Sequence, residues 1–392
     1  MNKAILIFGA AKLQRSLIKQ AKNLGLLTIA VDPDPNAECR KLVDKFEIVD
    51  GNDFNRTLAI AKRYEISGII TTATDKPLVM MARIAENLEL PFYSVKTAII
   101  STDKSLMKDA FQLADIPCAK GRLASNLDKI GDLKFPVIVK PRDNSGSRGV
   151  VYCNNEQELQ GAFMEALRFT KKDTVLVEEF IEGKEYSIES LHFGDETKII
   201  QYTEKITSAL PYNVEMGHNQ PADILGHDKN NIKIIIENIA KELGFENCAS
   251  HTEIKINSRG VFVIETSPRL GGDFITSDLV PLSTGINMER SLIEIALGSA
   301  PYFPIEFNKA AIVRYIKLNF DFIESICLPE NPKEVWGADH FTFKLQPGDI
   351  IPKIKNSLDR YGEVIFSGDS IPSLLDKYKF FLEKFENNIN VK

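Results

Sequence analysis

The chain has 392 residues, more than one small hydrophobic core can organise, so two or three domains are expected. Its 44% hydrophobic and 26% charged residues are those of an ordinary globular chain, and a net charge of −6 without a basic stripe excludes nucleic-acid binding by bulk electrostatics. Five scattered cysteines (Cys39, Cys118, Cys153, Cys248, Cys327) without a CxxC pair support neither a disulfide scaffold nor a zinc knuckle, and the N-terminal apolar run is too short to span a membrane. A cytoplasmic protein with neither nucleic acid nor membrane as partner is the expectation.

Residues 3–9 (KAILIFG) read as a buried strand, residues 12–24 as a helix stopped by Gly25, and residues 27–31 as a second strand. Strands at 46–49 and 68–72 and helices at 54–64 and 77–88 continue the alternation, which predicts a parallel sheet covered on both faces. Gly9 is followed by Ala10, Ala11 and Lys12, so the G-x-G-x-x-G fingerprint is missing and a Rossmann-like unit that binds no NAD is expected. Thr74 and Asp75 fall at a strand's carboxyl end, where open α/β sheets bind ligands; a helix N-cap is the other reading.

Asp103 and Lys104 open a helix that stops before Ile116-Pro117. The strand at 135–140 (FPVIVK) ends in Lys140, and DNSGSRGVVYC returns directly into another strand. Gly146 and Gly149 permit the positive φ and close backbone approach through which amides surround phosphate oxygens. No Gly-Lys-Ser/Thr precedes a helix, so this is not a Walker A loop. Alone it reads as a plain hairpin turn; Lys140, aimed the same way, favours a phosphate loop.

A helix at 156–167 and a strand at 174–177 lead into EEFIEGKEYSIE. Its backbone could pair with a purine edge while Glu178 and Glu185 offer acceptors to an amine and to ribose hydroxyls; an acidic hinge between strands fits the same spacing. Residues 210–224 read as a polar loop holding His218, and a helix at 230–243 precedes the stretch HTEIKINSRGVFVIETSPRLGGD at 251–273.

Within that stretch two apolar runs, 253–256 and 261–265, flank Asn-Ser-Arg-Gly and predict a β-hairpin. Glu253 then falls opposite Ile264 or Glu265, depending on loop length and any bulge. Two carboxylates about 4 Å apart at an effective dielectric of about 20 repel by roughly 4 kcal/mol. A proton or a bound cation relieves this. The pair reads as a magnesium clamp, with Arg269 beyond it as a fixed positive charge for an anionic ligand. A helix near 286–297, strands near 311–317 and 364–366, and a helix at 373–385 complete the chain.

In order, Asp103-Lys104, the strand ending Val-Lys-Pro, the Ser/Gly loop, VEEFIEGKEYS, the Glu-bearing hairpin and E-x-S-P-R-x-G-G resemble the ATP-grasp superfamily. Within it the chain is similar to the carbamoyl-phosphate-synthase-like and L-amino-acid ligase branch, whose members join a carboxylic acid to an amine. PGDIIPKIKNSLDRYGEVIFSGDS resembles that branch's terminal segment. The resemblance implies an ATP-grasp fold, α/β and α+β, with a Rossmann-like domain over 1–100. A central lid domain over 101–185 and a C-terminal domain with the metal site and a terminal α+β segment over 186–392 would follow. It also implies ATP, one or two Mg2+ ions with Mn2+ as a substitute, and small carboxylate and amine substrates; a homodimer is the usual default for an assembly.

Carried over residue by residue, the resemblance assigns Lys104 and Lys140 to the nucleotide and its phosphates, and Ser145, Gly146, Ser147, Arg148 and Gly149 to the flap above them. It makes Glu178 and the backbone of Glu179 and Ile181 the adenine hinge, with Phe180 against the base and Glu185 at the ribose. Glu253 and Glu265 become metal ligands and Arg269 the stabiliser of an acyl phosphate and tetrahedral intermediate, with Lys140 and His218 beside them in catalysis. Thr74, Asp75, the loop to His218, Arg269, Gly271, Gly272 and Asp273 would read the substrates. Relatives with E-x-N-P-R use the asparagine as a third metal ligand; here Ser267 stands there, and a hydroxyl can ligate magnesium or hold a water that does. The expected reaction is ATP-dependent ligation of a carboxylic acid to an amine through an acyl phosphate, releasing ADP and phosphate. A bicarbonate-using carboxylase or carbamoyl-phosphate-like enzyme, and a non-catalytic nucleotide-binding regulatory module, are the alternatives.

Overall fold

A computed structural model describes residues 3–144, 146–303 and 308–391. The N-terminal sheet contains β1 (Ala4–Phe8), β2 (Leu27–Asp32), β3 (Lys45–Ile48) and β4 (Ile66–Ile70), all parallel in the order β3-β2-β1-β4. β1 is buried along its whole length and β2 nearly so, as their apolar runs require in a covered parallel sheet. At the turn after β1, Gly9 has φ +94°, Asp32 accepts from the Ala10 N–H at 2.7 Å, and Gln14 accepts from the Ala11 N–H at 3.2 Å. The chain's own side chains thus serve the amides that a pyrophosphate engages in dinucleotide folds.

A second sheet holds β5 (Gly121–Ala124), β6 (Val137–Pro141), β7 (Val151–Cys153) and β8 (Val175–Glu179), antiparallel in the order β5-β8-β6-β7. The helix Glu156–Arg168, capped by Asn155, lays Leu159, Ala162, Phe163 and Ala166 on Val137, Val139, Val175 and Val177. This burial makes the small sheet a platform for the loop between β6 and β7.

The remaining strands are β9 (Lys184–Phe193), β10 (Glu196–Thr207), β11 (Glu215–Gln220), β12 (Cys248–Asn257), β13 (Gly260–Ser267), β14 (Ala310–Tyr315), β15 (Ile323–Ile326), β16 (His340–Phe343), β17 (Gly362–Gly368) and β18 (Ile389–Val391). Eight form one antiparallel sheet in the order β13-β12-β9-β10-β11-β14-β17-β16, and β15 pairs with β18. The helix Gly226–Leu243 buries Ile232, Ile236 and Ile239 in a core shared with Ile188, Ile254 and Val263. At the other end the helix Ile371–Glu386 stacks Phe381 and Phe385, with Trp336 edge-on to both.

One expectation is corrected. The polar stretch 210–224 is not all loop: β11 crosses it, and His218 is buried within the sheet at 1% exposure. Apolar periodicity does not mark this strand because its polar side chains find partners inside. Gln220 donates to Thr203 at 2.9 Å, Asn219 donates to Glu204 at 3.0 Å, and Arg314 donates to Asn219 at 2.6 Å.

Backbone contacts tie the N-terminal sheet and the segments flanking the small sheet to one another and to β13. Thr72 bridges Leu270, the Ala73 N–H donates to the Leu270 carbonyl at 3.3 Å, the Val263 N–H to Pro117 at 2.7 Å, and the Lys104 N–H to Arg142 at 3.1 Å. No helix among the described residues is long and apolar enough to cross a membrane.

Candidate active site

β12 and β13 form the expected hairpin, closing around Ser258 and Arg259, and Glu253 pairs across it with Glu265. The register shifts between Glu253 and Ile254, so that Ile264 is the residue skipped. A bulge of this kind re-aims side chains, and it sets the two acids opposite each other. Both are partly open, with 18% and 30% of their side chains exposed. Each already meets a cation: Lys205 lies 2.9 Å from Glu253, His251 Nε2 lies 3.4 Å from it, and Lys104 contacts Glu265.

These pairings settle the protonation. Burial pushes the Glu253 carboxyl up, but Lys205 and His251 hold it well below the usual carboxylate range. Lys104 is lowered by burial and raised more by Glu265, so its ammonium persists. Burial likewise lowers His251, yet Glu189, 2.8 Å from Nδ1, and Glu253 lift it to about 9. No group of three or more His, Cys, Asp or Glu among the described residues is gathered to hold an ion, so an ion at the hairpin would take its remaining ligands from phosphate and water.

A second charged cluster lies under the adjoining sheet. Glu178 is buried between Lys140, which it contacts, and Lys108 at 2.5 Å; Lys108 also donates to the Ala119 carbonyl at 2.6 Å. Burial raises the Glu178 carboxyl, and Lys140 and then Lys108 lower it further than that. Its carboxylate therefore faces two lysines and is not left open to an exocyclic amine. Lys140 reaches it because β6 and β8 are neighbours, with Ile138 opposite Glu178, and Lys108 reaches it from the helix Lys104–Leu113. Glu185 is similarly engaged, 2.7 Å from Lys205 and 3.8 Å from Lys255, and it accepts from Asn213 at 3.2 Å.

At Glu179, opposite Val137, the ladder ends. The Glu179 N–H donates to Lys120 and the Phe180 N–H to Pro136, both at 2.9 Å, and no backbone hydrogen bond engages the Ile181 N–H among the described residues. The Phe180 ring lies edge-on to Tyr152 and 4.4 Å from the Lys255 ammonium. Across from this hinge is the glycine loop, of which Ser145 lies outside the described residues. Gly146, Ser147 and Gly149 have φ of +69°, +55° and +73°. A Cβ on Gly149 would lie 2.8 Å from Phe169 and 2.9 Å from Pro141, so glycine is required there. Ser147 donates to Glu215 at 3.4 Å, Arg148 contacts Asn144, and the Gly146 carbonyl accepts from the Ser357 N–H at 3.4 Å.

On the far side of the hairpin, Asp75 is no helix cap, since the helix Leu78–Leu88 begins after Pro77 without a side-chain cap. Its carboxylate instead accepts from Ser267 at 2.6 Å and from Arg269 at 2.9 Å. Thr74 lies beside it, half-buried. Gly271 packs so closely that a Cβ would lie 2.8 Å from His251 Nδ1 and 2.9 Å from Glu189 Oε2, and Gly272 approaches Ala73. Asp273 accepts two bonds of 2.7 Å from Arg360, and His218 Nε2 lies 3.6 Å from it. Burial raises the Asp273 carboxyl, and Arg360 and His218 hold it far below the carboxylate range.

Four contributors went unmarked in the sequence: Lys205, Lys108, Glu215 and Arg360. Lys205 shares the buried phase of β10 with Gln201 and Thr203, and that polar phase is its one signal. Arg360 sits in the quoted terminal segment, but nothing in its spacing points to Asp273.

Residues 133–278 match the family model of the ATP-grasp domain. The chain is 23% identical over 388 residues to the uncharacterized protein y4rH of Sinorhizobium fredii, covering 93% of this chain and 78% of that one. A phosphoribosylglycinamide synthetase from Anaerococcus prevotii superposes with a TM-score of 0.77 and 27% identity over 100% of both chains. The L-amino acid ligase from Bacillus licheniformis superposes with a TM-score of 0.83 and 20% identity over 100% of this chain and 98% of that one. The match makes residues 133–278 an ATP-grasp domain, a domain of ADP-forming ligases, and the likeness to the two solved structures extends a shared fold along the whole chain.

Proposed function

We propose that the chain is an ATP-dependent ligase that joins a carboxylic acid, an amino acid or similar small acid, to an amine through an acyl phosphate. The observation that carries this reading is the facing pair Glu253 and Glu265 in a cleft that also holds Lys104, Lys140 and Arg269. Likeness to the L-amino acid ligase supports an amino acid among the substrates.

The donor set fits magnesium, since two opposed, partly exposed carboxylates offer the hard oxygens it prefers. Bound there, magnesium would neutralise charge on the β- and γ-phosphates. In this reading Lys104 and Lys140 turn from Glu265 and Glu178 to the phosphates, Phe180 and the Ile181 N–H meet the adenine, and Glu185 meets the ribose. The glycine loop covers the phosphates and excludes water, which would otherwise hydrolyse the acyl phosphate.

The acid's oxygen attacks the γ-phosphorus and the bond to ADP breaks, with Arg269 offsetting charge between the two anions. The amine then attacks the acyl carbon, and phosphate leaves. His218 would take the amine's proton; its burial beside Asp273, with neither ring nitrogen hydrogen-bonded among the described residues, supports that role. Thr74, Gly271, Gly272 and Asp273 line the acid and amine side.

The test is product analysis across a panel of amino acids and small carboxylates. ADP and phosphate should form only when an acid and an amine are both present; AMP and pyrophosphate would refute the reading. Labelled bicarbonate entering the product would favour a carboxylase instead. Glu265→Gln should lower turnover by about 100-fold or more while the protein still folds, as loss of a charge-stabilising group does.

A further inference from the structure

One carboxylate, that of Asp75, ties together two side chains at the exit of β13, Ser267 and Arg269. Asp75 Oδ1 accepts from Ser267 Oγ at 2.6 Å and from Arg269 Nε at 2.9 Å, and Oδ2 accepts from Arg269 Nη2 at 3.3 Å. Arg269 Nη1 donates to the Leu270 carbonyl at 3.1 Å. The backbone is tied at the same place, through the Thr72–Leu270 bridge and the Ala73 N–H to Leu270 bond. Ser267 is 6% exposed and the Arg269 side chain 11%.

A guanidinium is planar, and a carboxylate that grips it at two nitrogens fixes the plane as well as the position. Asp75, which comes from the end of the N-terminal sheet, therefore sets where the Arg269 charge stands. Ser267 has one proton to give, and it gives it to the same carboxylate oxygen that holds Arg269. A divalent cation on the Ser267 oxygen would be crowded by this guanidinium. Glu253 and Glu265 differ, because they face one another across the hairpin with their side chains partly exposed.

We propose that Asp75 is the positioning residue of Arg269, and that Ser267 belongs to this bridge and not to the metal shell, so that the hairpin holds a single divalent cation between Glu253 and Glu265. The inference rests on the ligase reading for its nucleotide, and it names how many ions that nucleotide brings.

The test counts Mn2+ by electron paramagnetic resonance on the full chain saturated with ADP. One ion per chain is expected, and Ser267→Ala should keep it with an affinity within about twofold, since no ligand is lost. Two ions with spin-coupled signals, or weakening of about tenfold or more in Ser267→Ala, the size of a lost metal contact, overturns the assignment. For Asp75 the readout is the Arg269 Nε–H signal in the metal-free protein, assigned by its loss in Arg269→Lys. It should be protected from solvent exchange in the parent, lose that protection in Asp75→Asn, and regain part of it in Asp75→Glu. Unchanged protection in a folded Asp75→Asn removes the positioning role. If neither ADP nor Mn2+ binds the parent, the nucleotide reading itself fails, and this inference with it.

Discussion

Lys205 shows how charge is balanced at the level of single residues. Its ammonium lies 2.7 Å from Glu185, 2.9 Å from Glu253 and 3.4 Å from Glu215, and its side chain is 2% exposed. Burial lowers its pKa, but the three carboxylates raise it well above the lysine value. His251 shares Glu253 with it and titrates within reach of experiment. Its folded pKa of about 9 lies above the unfolded 6.5, so its contribution to stability is full below pH 6.5 and is lost as pH rises through 9. Melting of the ligand-free protein should therefore shift downward between pH 6.5 and 9, and the same scan on His251→Gln should lack that component. What was legible at this scale were the residues with a local signature: Glu253 and Glu265 by their hairpin, Gly149 by its turn. Lys205 and Arg360 act across strands distant in the chain, and no spacing rule reaches that far.

Among the elements, the hairpin and β11 stand at opposite ends of legibility. The hairpin announces itself because alternation and turn chemistry agree, and the one ambiguity, Ile264 or Glu265, is resolved by a bulge that depends on packing. β11 is hidden because a strand that satisfies polar groups inside a sheet carries no apolar period. A similar concealment occurs between the helices Arg15–Asn23 and Met288–Ala296, where Glu289 is buried and accepts from Ser16 at 2.6 Å. Burial raises its carboxyl to about 7, Ser16 opposing and Asp278 adding to the rise. Because the folded state binds this proton more tightly, the stability from Glu289 is full below the unfolded pKa of 4.5 and declines as pH rises through 7. Glu289→Gln should thus raise the melting temperature at pH 8 and leave it nearly unchanged at pH 4, as differential scanning fluorimetry would register.

For the whole molecule, the parallel opening and the local strand pairs β6–β7 and β12–β13 were within reach of pattern reading, since each has its own period and turn; the long antiparallel sheet was not, because β11 at its middle carries no apolar period. How the sheets meet was not, because the contacts at Leu270, Pro117 and Arg142 are backbone hydrogen bonds that any side chain permits. If the cleft binds magnesium nucleotide as proposed, ligand at 100 times its dissociation constant should stabilise the chain by about 2.7 kcal/mol. A thermal shift should appear with ADP and Mg2+ together and be abolished by EDTA or by Glu253→Gln.

The lysine contacts to Glu178, Glu253 and Glu265 carry one more consequence. The side chains there nearly cancel in charge, because each acid rests against a cation of the same chain. In the proposed reading a magnesium nucleotide would enter an ion exchanger: the metal would take Glu253 and Glu265, and the displaced ammoniums would take the phosphates. Few counterions from the solvent need to move in that exchange. Its affinity should vary shallowly with added potassium chloride, and the protein should fold to the same structure in a metal-free buffer.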